Sequence, residues 1–166
     1  IEAHVTSLLA TKLFSVPPRS QRVQRSHLVD RLVQSHRPGH KLTVLAAPAG
    51  FGKTTLLGEW LASVQRPTAW LSLDSSDNDP ARFLNYMVAA LQTLDAGLGA
   101  DALQRLQSGD PALSESILIS LLNDLARLPC EGLLVLDDYH VIDHRPIHDA
   151  LAFLLDHLPP QLHIAL

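Results

Sequence analysis

The 166 residues, 46% apolar and 18% charged, have the length and composition of one globular domain with a real core, and they exclude a disordered chain. A formal net charge of −4 without any basic block leaves these residues no electrostatic footprint for nucleic acid, and the single cysteine, Cys130, excludes an internal disulfide or a Cys-based metal cluster. No apolar run approaches the roughly 18 residues that span a bilayer, so no membrane partner and a cytoplasmic location are expected.

In chain order, residues 1–40 read as a lead-in: an extended stretch with Pro17-Pro18, then a short helix capped by Ser26 and ending before Pro38-Gly39. Residues 41–166 read as the core of the domain. A first strand, Lys41 to Ala46, runs into Ala47-Pro48-Ala49-Gly50-Phe51-Gly52-Lys53-Thr54-Thr55, a phosphate-binding loop pattern with Ala in place of the first glycine. Gly50 and Gly52 let the backbone amides turn toward an anion. The helix that starts near Lys53 presents its positive end there, so Ala49 to Thr55 are the phosphate contacts. Lys53 is placed to reach the β- and γ-phosphates, and the Thr54 hydroxyl to take a Mg²⁺ position.

Leu56, Leu57, Trp60, Leu61 and Val64 continue that helix at helical spacing until Pro67. Thr68 to Leu73 form a second strand, and Asp74 to Pro80 a polar loop whose Asp79 and Pro80 are the N-cap and first-turn proline of the next helix. Shorter and longer helices follow around Leu103 and from Ser114. Gly132 to Leu136 is apolar throughout, as a strand covered on both faces should be, and delivers Asp137-Asp138 to the same sheet edge as the loop. Asp137 is the better Mg²⁺ ligand of the two; Asp138, with Lys53, is a candidate for the chemistry, polarising an attacking water or capping the turn. His140 is the only histidine close to that chemistry, Cys130 is expected to be buried, and a last helix from about Pro146 leads to a fourth strand at Leu162. Alternating strands and helices predict an α/β fold with a mainly parallel sheet flanked by helices. Ile1 to His4 lack an initiator Met, and Gln161 to Leu166 stop within a strand, so both ends read as cut.

Several segments together resemble the ATP-binding module of large MalT-like LuxR-family regulators, members of the STAND class of P-loop NTPases. They are Thr11-Lys12-Leu13, Arg25-Ser26-His27-Leu28, the phosphate loop, Trp70 to Asp74, Asp77-Asn78-Asp79-Pro80 with Arg82-Phe83, and Leu134 to His140. The resemblance implies an additional-strand P-loop fold cut in or after its fourth strand, which lies between the first and third. It therefore implies an exposed central edge and poor stability of these residues alone. It also implies ATP/ADP and Mg²⁺ as cofactors, slow hydrolysis, and packing of Val23 to Leu28, including Arg25, against the adenine. Self-association in the active state, an inducer bound by a region beyond these residues, and promoter DNA bound by a further helix-turn-helix domain complete what it implies. The alternatives are a metabolic P-loop enzyme such as a small-molecule kinase, for which the chain shows no clustered lid arginines, and a degenerate module that binds nothing.

Overall fold

A computed structural model describes residues 8–14, 25–35, 39–48 and 50–166. Val23 and Ala49 lie outside the described residues. In order, the elements are α1 (Ser26–Ser35), β1 (Leu42–Thr43), α2 (Lys53–Val64), β2 (Thr68–Ser72), α3 (Pro80–Leu91), α4 (Ala100–Gln107), α5 (Glu115–Leu125), β3 (Gly132–Asp137), α6 (Arg145–His157) and β4 (Leu162–Ala165). Short 3₁₀ turns span Ala10–Leu13, Ser75–Asn78 and Tyr139–Val141.

The four strands form one parallel sheet in the order β1-β4-β3-β2, with β4 between β1 and β3 as the resemblance implies. Strand side chains alternate between faces, and β3 supplies both cores. Leu134 and Leu136 join a large cluster with α3, α5 and α6 on one face. Leu133 and Val135 meet Leu57 and Trp60 of α2, with Trp70 of β2, on the other. This two-sided cover is why β3 is apolar at every position before Asp137. Among the described residues β4 is paired on both sides, so the sheet edge next to the phosphate loop is β1 and not β4.

Three sequence expectations need correction. β1 is two residues long instead of six, because it is paired on one side only and the chain then bends into the loop; a single Leu45 N–H to Leu166 carbonyl bond prolongs the contact. Ser26 is the first helical residue of α1, and the Arg25 carbonyl takes the opening helical bonds from Leu28 and Val29. Cys130 is exposed, since the turn from α5 into β3 lies at the surface. The polar loop after β2 is present as expected and is ordered into a 3₁₀ turn closed by a capping box, in which Asp74 accepts from Ser76 and Asp77 accepts from the Asp74 N–H. Asp79 and Pro80 do start α3 as expected, with the Asp79 carboxylate accepting from the Arg82 N–H at 2.7 Å.

One buried histidine ties β4 to β1. His163 donates from Nδ1 to the His40 carbonyl at 2.7 Å and accepts at Nε2 from the Thr43 hydroxyl at 2.9 Å. Burial holds its pKa below the ordinary histidine value, in keeping with this neutral tautomer.

Candidate functional site

The loop between β1 and α2 depends on two glycines with φ of +82° (Gly50) and +76° (Gly52), a left-handed region that residues with a Cβ adopt reluctantly. Gly52 is also the N-cap of α2 and brings no side chain to cap its first turn, so the positive helix end faces the loop. Lys53 lies back across the loop, its Nζ donating to the Ala47 carbonyl at 2.8 Å. Thr55 is exposed in the same first turn, and Phe51 is exposed on the loop itself.

Thr54 faces the other motif. Its hydroxyl donates to Asp137 Oδ2 at 2.9 Å, bringing the start of α2 and the end of β3 together from 83 residues apart in sequence. The other carboxylate oxygen, Oδ1, accepts the Asp138 N–H at 3.1 Å. Burial pushes the Asp137 pKa up, and the neighbouring Asp138 charge acts in the same sense. The Thr54 and Asp138 hydrogen bonds and the Lys53 charge offset this only in part. A carboxylate and a hydroxyl are hard oxygen donors, suited to Mg²⁺, which keeps water and phosphate ligands beside one or two protein groups. Among the described residues, no group of three or more His, Cys, Asp or Glu is placed to hold a metal ion.

The raised pKa has a measurable consequence. Between the ordinary carboxylate value and the raised one, the folded state keeps the Asp137 proton that the unfolded chain has lost. The contribution of this residue to stability therefore falls as pH rises through that window. At neutral pH, Asp137→Asn removes the cost of burying the charge and can still bond Thr54 and the Asp138 N–H. The expected result is a melting midpoint a few degrees higher without nucleotide, together with loss of any Mg²⁺-dependent stabilisation by ATP. Thermal melts with and without Mg-ATP check both.

Asp138 lies one residue past the end of β3, so the turn, and not strand alternation, separates its side chain from that of Asp137. It is exposed, sits in a left-handed conformation (φ +59°) and opens the Tyr139–Val141 turn. A cavity of about 500 Å³ is lined by Lys53, Asp137, Asp138, Tyr139 and His140 among others. His140 Nδ1 lies 3.7 Å from an Asp138 oxygen. The Tyr139 hydroxyl pairs with His148 Nδ1 at 2.7 Å, and burial pushes its pKa up to about 12. A second cavity, about 650 Å³, shares Val44 to Ala47 and Lys53 with the first and adds Arg25, Leu28, Phe51 and Gly52. Arg25 donates from Nη1 to the Phe51 carbonyl at 2.7 Å, and its guanidinium lies over Gly52, 3.8 Å from where a Cβ would stand. The structure thus gathers Lys53, Thr54, Asp137 and Asp138 at one end and Arg25, Phe51 and Gly52 at the other.

A chain with these two motifs at one sheet edge matches the family model of the AAA ATPase domain over residues 19–166. It belongs to that family. The fold and the phosphate loop are those of a P-loop NTPase, as the sequence motifs led us to expect. The chain is also similar to three proteins described as HTH-type transcriptional regulator MalT. It is 36% identical over 155 residues to the one from Cronobacter sakazakii, which covers 93% of this chain and 17% of the relative. The protein from Yersinia enterocolitica is 38% identical over 146 residues (87% and 16%), and that from Vibrio cholerae 35% over 141 residues (84% and 15%). The chain therefore spans about a sixth of the length of the curated relatives it matches. The resemblance noted in the sequence extends along nearly the whole chain. No described helix of this AAA ATPase domain is long and apolar enough to cross a membrane.

The sequence missed three site features. Tyr139 in the cavity wall and the bond from Arg25 to Phe51 left no spacing signal. The buried Asp77 looked like one more acid in a polar run.

Proposed function

We propose that this chain is the ATP-binding switch module of a signal-responsive transcriptional regulator, with slow hydrolysis setting its state. The contact that carries the reading is the 2.9 Å bond from Thr54 to Asp137, which places both oxygen donors beside the Lys53 end of the loop. Lys53 and the first turn of α2 would hold the β- and γ-phosphates, with Gly50, Phe51, Gly52, Thr55 and Ala49 along the chain of phosphates. Thr54 and Asp137 would hold Mg²⁺, which neutralises phosphate charge when bound. Asp138 would orient the attacking water from the exposed wall of the cavity. Arg25, with Leu28 and the neighbouring Val23, would pack against the adenine at the other end, where Arg25 already braces the loop.

The regulator part of the reading rests on relatives described as transcriptional regulators over most of this chain. Self-association with ATP bound, an inducer acting elsewhere in the protein, and promoter DNA bound by a separate helix-turn-helix domain follow from it. Calorimetric titration of the intact protein is the test. Mg-ATP and ADP should both bind, GTP at least about tenfold more weakly, with turnover well below the typical ~10 s⁻¹ of metabolic enzymes. No heat and no thermal shift with Mg-ATP would sink the proposal. Rapid phosphoryl transfer to a small acceptor would replace it with a kinase.

A further inference from the structure

Two family segments have no part in the phosphate contacts: Asp77-Asn78-Asp79-Pro80 after β2, and the run from Tyr139 after β3. In the folded chain they meet through Asn78. Its Nδ2 donates to the Val141 carbonyl at 3.0 Å and to the Ser75 carbonyl of its own turn at 3.2 Å. Its Oδ1 accepts the Asp143 N–H at 2.8 Å and the His144 N–H at 3.0 Å. A carboxamide has two N–H donors and two acceptor lone pairs, and all four are used here. The turn is held from behind by its neighbour Asp77, which is fully buried and accepts from Lys12, from Arg82 Nε at 3.0 Å and from the Asp74 N–H at 2.9 Å.

The segment gripped by Asn78 directly continues the wall of the first cavity. It begins at Asp138, in a left-handed conformation, and carries Tyr139 and His140 beside Lys53 and Asp137. A non-glycine residue in that region persists when its surroundings over-determine it, and three of the four Asn78 bonds fall on this segment. We propose that Asn78 is a positioning residue of the nucleotide site. By anchoring the backbone at 141–144 it keeps Asp138 and His140 on the wall that faces Lys53 and Asp137. The inference rests on the nucleotide-switch reading above, in which that wall is the γ-phosphate side.

The test compares Asn78→Ala, Asn78→Asp and Lys12→Met with wild type in the intact protein, by ATP hydrolysis and by hydrogen exchange at the amides of Asp143 and His144. For Asn78→Ala, kcat should fall about tenfold, KM for Mg-ATP should stay within about threefold, and both amides should exchange faster. Asn78→Asp keeps the two acceptor positions but sets a carboxylate oxygen against the Ser75 and Val141 carbonyls, so it should recover only part of the amide protection and part of the rate. Lys12→Met removes one of the three hydrogen-bond partners of Asp77 and leaves all four Asn78 bonds in place. It should lower the melting midpoint and leave kcat of the folded protein unchanged. An Asn78→Ala enzyme with wild-type kcat, or a Lys12→Met enzyme with the same loss, overturns the proposal. If Asn78→Ala fails to fold, wild-type exchange decides: protection at Asp143 and His144 that Mg-ATP raises above Mg-ADP supports it, and unprotected amides overturn it. A wild type that binds no adenine nucleotide instead removes the nucleotide reading itself, whereas normal hydrolysis with an indifferent Asn78→Ala removes only this inference.

Discussion

Replacing Lys53 by alanine is expected to weaken Mg-ATP binding by about a hundredfold or more, equivalent to losing roughly 2–5 kcal/mol from a close charge pair. The ammonium sits at the start of α2, where the helix end and the loop amides already favour an anion. Two unit charges 4 Å apart attract by about 4 kcal/mol at a near-surface dielectric, before the cost of desolvation. AMP should lose far less than ATP, because in the proposed binding mode the side chain would reach past the α-phosphate. The fold should hardly notice: the Lys53 bond to the Ala47 carbonyl is solvent-exposed, and such bonds contribute about 0.5–1.5 kcal/mol. Calorimetry on the variant, with a melt as control, separates the two effects. Binding of Mg-ATP within threefold of wild type would mean that phosphates do not lie where the loop pattern puts them.

Asp77→Ala is expected to destabilise the protein by about 3–5 kcal/mol, the typical cost of removing one partner from a buried ion pair. Asp77 has no exposed surface, and Lys12, against which it pairs, is 8% exposed. Lys12 also lies 4.7 Å above the Tyr86 ring, with the Arg82 guanidinium 5.2 Å from it, so two cations converge on one buried carboxylate. Without it, Lys12 keeps the Tyr86 ring and, as its one carboxylate partner among the described residues, the half-exposed Asp74 at 2.8 Å. Burial pulls the Lys12 ammonium down, but Asp74 and Asp77 outweigh it and hold its pKa above the ordinary value. The same bond from Lys12, helped by Ser76, holds the Asp74 carboxyl far below the usual carboxylate range. The Asp74 contribution is therefore complete above its ordinary pKa and is lost as pH falls toward the depressed one, modestly because the side chain is half exposed. Urea unfolding of Asp77→Ala against wild type reads the main effect, measured against a typical total of about 5–15 kcal/mol. A loss below about 1 kcal/mol would show the cluster to be an ordinary solvated face.

How far these features could be read in the chain depends on whether their cause is local. The phosphate loop needs glycine at particular positions of one strand-to-helix turn, and Asp79-Pro80 starts a helix through its own cap and ring. β3 advertises two-sided burial by being apolar at every step. Each is a short-range constraint written in consecutive residues. The contacts between Asn78 and the 141–144 segment, between Lys12 and Asp77, and between Arg25 and Phe51 join residues 26 to 66 positions apart. No periodicity or spacing encodes such pairings, and the acids after β2 read equally well as a solvated loop.

The residues alone determined that this chain folds as an α/β domain with a nucleoside-phosphate loop and an acidic strand end, because backbone conformation and burial impose those residue types directly. Only the tertiary structure decided which carboxylate faces Thr54, that Asp138 turns away from it, and that the run after β2 clamps the neighbouring segment. The clamp follows from the parallel packing of β2 beside β3, which brings those two strand ends to one edge, whereas Thr54 meets Asp137 because α2 packs on β3.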